Sequence, residues 1–171
     1  MNKSYIPNSF TFGNLALGVL SIIFSIKGRY DIAAFSILGA ALLDRYDGRI
    51  ARMFNASSKL GTELDSLADL ISFGVAPAII SWSLYLNEYG ILGYIIVCLY
   101  PICGAYRLAR YNVNVDNFDN VFMGIPITIT GFLMALDAII NIYLIKHSII
   151  STILLVLFSY LMVSKIQIKK M

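Results

Sequence analysis

Charge is what this 171-residue chain has least of: Asp, Glu, Lys and Arg together make up 13% of it, against about 25% in an ordinary soluble domain. Hydrophobic residues make up 58%, and the mean hydropathy is +0.77. That balance excludes a water-soluble globule and calls for lipid as the solvent. Cysteine is scarce too. Cys98 and Cys103 stand five apart inside an apolar stretch, which is neither a CxxC redox pair nor a metal-ligand spacing, so both read as core filler. Internal repeats and low-complexity tracts are absent. The formal net charge of +3 does not point to nucleic acid, because the basic residues flank apolar runs and form no single stripe. Anionic headgroups or a phosphorylated substrate suit them better.

What the chain has in place of charge is long apolar runs, at 10–26, 32–43, 70–86, 91–106, 125–145 and 148–164. Several approach the ~20 residues that cross a bilayer. The expectation is an all-α integral membrane protein of six transmembrane helices, with residues 1–171 as one transmembrane domain. The first run follows a nearly neutral start carrying only Lys3 and has no clear small-residue cleavage site after it. It therefore reads as a membrane helix and not as a signal peptide. Lys27–Tyr30, with Gly28, and Asn87–Gly90 read as short turns.

Lys and Arg tend to remain on the cytoplasmic side of a membrane. Lys3, Arg45, Arg49, Arg52, Lys59, Arg107, Arg110, Lys165, Lys169 and Lys170 fall on one side of the six runs, and Lys27, Arg29 and Lys146 on the other. Both termini and the two long polar segments are thus expected in the cytoplasm. The only histidine, His147, is left on the far side, which excludes a histidine base or a Ser-His-Asp triad at the charged end.

That charged end carries the chemistry. Residues 44–52 read DRYDGRIAR, eight residues follow, and 61–69 read GTELDSLAD. At ~100° per residue, Asp44, Asp47, Gly48 and Ala51 share one helix face, as do Gly61, Asp65, Ala68 and Asp69 on the next helix. A helical hairpin would aim four carboxylates at one cavity. Like charges at such spacing repel, and a cation is the economical way to keep them ionised. Oxygen-only ligation suits Mg²⁺ or Mn²⁺ better than zinc, and two ions about 3.5–4 Å apart can clamp a pyrophosphate. The plainer alternative is a solvated helix end for Asp44 and Asp47, with Thr62 to Asp65 as a capping box.

The gapped pattern DxxDGxxAR, eight residues, GxxxDxxxD resembles the signature of the CDP-alcohol phosphotransferase family at every fixed position. The resemblance implies a six-helix membrane bundle, usually a homodimer, with Asp44, Asp47, Asp65 and Asp69 as ligands of a two-metal site and Asp69 also as catalytic base. It places Gly48, Ala51, Arg52 and Gly61 around the cytidine and phosphates of a CDP-lipid, assisted by Asn8 and Thr11. The segments DSLADLISFGVAP, ICGAYRLARYNV, FMGIP and YLMVSKI look like those of the small phosphatidylserine synthases. The implied reaction transfers a phosphatidyl or archaetidyl group from CDP-diacylglycerol or CDP-archaeol to L-serine, with glycerol 3-phosphate or inositol phosphate as the alternative acceptors.

Arg107 and Arg110, at the inner end of the fourth run, are placed to hold a lipid phosphate or the serine carboxylate, or simply to anchor the helix. Glu63 projects away from the face of Gly61 and Asp65, and reads as a helix N-terminal acid or a contact for the serine ammonium. Asp137, alone in the fifth run, reads as an interhelical hydrogen-bonding group or an intramembrane functional acid. A small carrier is the rival of a different class, but its acids would lie near mid-bilayer and its sequence would often repeat.

Overall fold

The computed structural model describes residues 5–53, 58–114, 121–144 and 146–169, without the side chains of 5–7, 47, 50–53, 114, 121–123 and 167–169. Six helices among these residues follow the six apolar runs: α1 Tyr5–Ile26, α2 Tyr30–Met53, α3 Lys59–Leu84, α4 Gly90–Asn114, α5 Ile127–Tyr143 and α6 Ser148–Val163. Asn8–Ile26, Lys59–Leu84 and Leu86–Val113 are each long and apolar enough to cross a membrane, and α5 and α6 are apolar over 17 and 16 residues. The chain is an all-helical membrane bundle. A three-residue antiparallel ribbon, β1 Val121–Met123 against β2 Gln167–Lys169, ties the segment before α5 to the tail beyond α6.

Three helices outrun their apolar stretches by eight residues or more. α2 continues past residue 43 to Met53, α3 begins at Lys59 ahead of residue 70, and α4 passes 106 to Asn114. Hydropathy marks the depth of hydrocarbon, whereas backbone hydrogen bonding carries a helix on into the polar phase. The start of α3 is set by Ser58, whose extended backbone and Oγ, accepting the Gly61 N–H at 3.0 Å, make it the N-cap. The capping-box reading of Thr62 to Asp65 therefore gives way. The Thr62 hydroxyl donates to the Ser58 carbonyl at 3.3 Å, and Asp65 lies inside the helix.

α3 is the central element, packed on α1, α2, α4 and α5. Its middle, Leu70–Val75, is π-helical. Pro77 supplies the cause, since it has no N–H for the carbonyl of Phe73 and its ring crowds that group. The Ala76 N–H accordingly reaches back five residues to the Ile71 carbonyl.

Small residues bring the backbones together. A Cβ on Gly131 of α5 would stand 2.6 Å from Phe73 Cβ and 2.7 Å from its Cα, and one on Gly18 of α1 would overlap the Ser72 hydroxyl. Close approach of this kind is how lipid-embedded helices gain packing energy. Gly131→Ala is expected to cost about 1–3 kcal/mol by overpacking, read as a lower thermal midpoint in detergent micelles. An unchanged midpoint would refute the α3–α5 contact.

At the bundle end opposite the aspartate motif, Asp137 and His147 belong to one polar network. Asn141 Nδ2 donates to Ser151 Oγ at 2.7 Å and to Asp137 Oδ2 at 3.3 Å, His147 N donates to Asn141 Oδ1 at 3.1 Å, and His147 Nε2 lies 3.9 Å from Asp137 Oδ1. Asp137 is thus linked through Asn141 to Ser151 of α6.

Candidate active site

The polar extensions of α2 and α3 bring their acids together. Asp44 from α2 and Asp65 and Asp69 from α3 each offer a carboxylate oxygen, and these oxygens lie within 4.8 Å of one another. Asp69 is buried, and Asp44 and Asp65 are half-buried. Burial first, and the charge of Asp65 second, push the Asp44 carboxyl up to about 7, against a hydrogen bond with Asp69. Asp65 Oδ1 is buried with no hydrogen-bond partner among the described residues. Carboxylates left in this condition fit a divalent cation. Ligands at 2.0–2.1 Å around an octahedral ion stand about 3–4 Å apart, so a small closure of the cluster would suffice.

Asp47 lies three residues beyond Asp44 on α2, but its side chain, like those of Ala51 and Arg52, falls outside the described residues. Gly48 is half-buried on the same helix. Asn8 and Gly61 are adjacent: a Cβ on Gly61 would meet Asn8 Oδ1 at 3.5 Å and Ser58 Oγ at 3.1 Å. Thr11 is buried one turn further along α1.

The two arginines of α4 part company. Arg107 is buried, within electrostatic reach of Asp69, with its Cζ 5.5 Å from the Tyr111 ring centroid, and its Nε has no hydrogen-bond partner among the described residues. Arg110 is committed elsewhere. It donates from Nη1 to the Val163 carbonyl at 3.0 Å and from Nη2 to those of Ser164 at 3.3 Å and Met162 at 3.4 Å, so it caps the C-terminus of α6, where cations are favoured. Glu63 also has a protein partner, its Oε2 accepting from Asn112 Nδ2 of α4 at 3.3 Å, while the same amide bonds Ser66 Oγ at 3.0 Å.

One residue at the cluster escaped the sequence reading. Asn14, fully buried on α1, donates from Nδ2 to Asp69 Oδ1 at 3.0 Å. The available signal was an amide in the middle of the apolar run 10–26, where an unpaired polar group is costly.

Among the described residues, an apolar helical membrane bundle carries an oxygen-only acid cluster at its polar end, the donor set of a candidate divalent-cation site. The CDP-alcohol phosphatidyltransferase family model matches residues 4–164, and the chain belongs to that family. A Helicobacter pylori protein named CDP-diacylglycerol–serine O-phosphatidyltransferase is 38% identical over 143 residues, covering 82% of this chain and 60% of the relative. Proteins of the same name from Bacillus subtilis and Methanocaldococcus jannaschii are 35% and 34% identical, each over 96% of this chain, and over 89% and 74% of their own lengths. The chain thus spans 60% of the length of the Helicobacter relative.

Proposed function

We propose that the chain is a phosphatidylserine synthase, transferring the phosphatidyl or archaetidyl group of a CDP-lipid to the hydroxyl of L-serine with release of CMP. The observation that carries this reading is the convergence of Asp44, Asp65 and Asp69 at the polar end of an apolar bundle, in a chain similar over most of its length to proteins named for that reaction. Asp44, Asp47, Asp65 and Asp69 would hold Mg²⁺ or Mn²⁺. When bound, the cations neutralise the pyrophosphate and the charge that develops on the leaving oxygen.

Asp69 takes the proton of the serine hydroxyl. The hydroxyl oxygen attacks the lipid-side phosphorus, a new P–O bond forms, and the P–O bond to CMP breaks with its electron pair leaving on CMP. The family resemblance assigns Asn8, Thr11, Gly48, Ala51, Arg52 and Gly61 to the cytidine and phosphate pocket. Arg107, with donor capacity still open beside Asp69, holds the lipid phosphate or the serine carboxylate, and Glu63 is the counter-charge assigned to the serine ammonium. The distribution of Lys and Arg supports a multi-pass protein of the cell membrane with this site facing the cytoplasm. The family reading also implies a homodimer.

The test is CMP release by purified protein from CDP-diacylglycerol or CDP-archaeol with Mg²⁺ or Mn²⁺, with L-serine, glycerol 3-phosphate, inositol and inositol phosphate compared as acceptors. Release confined to L-serine, and lost on chelation, is the expected result. Preference for another alcohol would move the chain elsewhere in the family. Absence of metal-dependent release with every one of these acceptors would leave the carrier reading standing.

A further inference from the structure

We infer that Asn14 is a positioning residue for this reaction, fixing the orientation in which Asp69 presents its carboxylate. The inference rests on the reading of Asp69 as the base. Asn14 is fully buried on α1, and its Nδ2 donates to Asp69 Oδ1 at 3.0 Å across 55 residues of sequence. Only the NH₂ side of an amide can face a carboxylate oxygen, so the direction of the bond is dictated by Asp69.

The amide has little freedom to do anything else. The Asn14 backbone carbonyl accepts from Ser72 Oγ at 2.9 Å, and Gly18, one turn further along α1, lets that helix lie directly against Ser72. α1 is therefore pinned to α3 just beyond Asp69. Asn14 Oδ1, meanwhile, is buried with no partner among the described residues.

An amide placed in lipid only to join two helices would be expected to satisfy both its ends, because each unmet polar atom is costly there. A leucine of similar size would pack in the same space at no such cost. What Asn14 adds over leucine is the one bond to Asp69. A carboxylate on a flexible side chain can rotate about two bonds, and a donor held by a neighbouring helix restricts it to the rotamer in which it also meets Asp44 and Asp65.

The experiment uses the full-length enzyme in detergent or vesicles with a CDP-lipid, Mg²⁺ or Mn²⁺ and L-serine. It compares wild type with Asn14→Leu, Asn14→Ser and Ser72→Ala. Both Asn14 variants should lose about 10–100-fold in kcat, the usual cost of removing a group that orients a ligand, with KM for both substrates nearly unchanged. Should Asn14→Leu not fold, Asn14→Ser, which is too short to reach Asp69, carries the test. Ser72→Ala breaks the adjacent α1–α3 tie without touching Asp69, and should lower the thermal midpoint while kcat stays near wild type. Wild-type kcat in a folded Asn14 variant would overturn the inference. So would a fall in kcat in Ser72→Ala equal to that in the Asn14 variants, since packing alone would then explain the loss. Failure of the underlying function shows separately, as wild-type enzyme that releases no CMP in response to serine.

Discussion

Asp69→Asn is expected to abolish turnover, with serine-dependent CMP release falling by about 10³-fold or more. Two effects combine. Asparagine cannot take the proton of the attacking hydroxyl, a loss that alone costs about 10²–10⁴-fold. It also replaces one of the three converging carboxylate oxygens with a neutral amide and so weakens the grip on the cation. The substitution is nearly isosteric, and Asp69 is buried at the join of α1 and α3, so the variant should remain folded and comparable with wild type by thermal midpoint. Near-normal turnover would remove Asp69 from the mechanism and leave the cluster with a binding role at most.

The second large effect separates two arginines that look alike in the sequence. Arg107→Leu should lower kcat/KM for serine or the CDP-lipid by about 10²–10³-fold, in line with the 2–5 kcal/mol lost when one partner of a buried charge pair is removed. Whether the KM for serine or that for the lipid moves more identifies the anion that the guanidinium holds. Arg110→Leu should instead strip the cap from the α6 C-terminus and appear as a lower thermal midpoint, with kcat/KM of the folded fraction changed only a few-fold. Equal losses of kcat/KM in the two variants at unchanged stability would refute this division of labour.

The convergence of Asp44, Asp65 and Asp69 was readable because it follows from local arithmetic, helical spacing along two neighbouring segments. The six helices were readable for the same reason, each apolar run reporting its own burial in lipid. Asn14 was not, since its partner lies 55 residues away and nothing local marks which buried amide faces a carboxylate. Arg107 and Arg110 are three residues apart on one helix, and only the neighbours that fold against them, Asp69 for one and the α6 terminus for the other, tell them apart. The β1–β2 ribbon escaped notice too, because three-residue strands in polar connections have no periodicity to read.

The π-helical stretch Leu70–Val75 has a geometric consequence for how α3 serves two ends of the molecule. One wide turn acts as a single residue inserted into a regular helix, and advances everything after it by about 100° around the axis. The half of α3 that carries Asp65 and Asp69 and the half that carries Ser81 therefore run on different angular phases. One continuous rod can then turn its acids toward Asp44 at one end and meet the opposite end of the bundle on an independently chosen face.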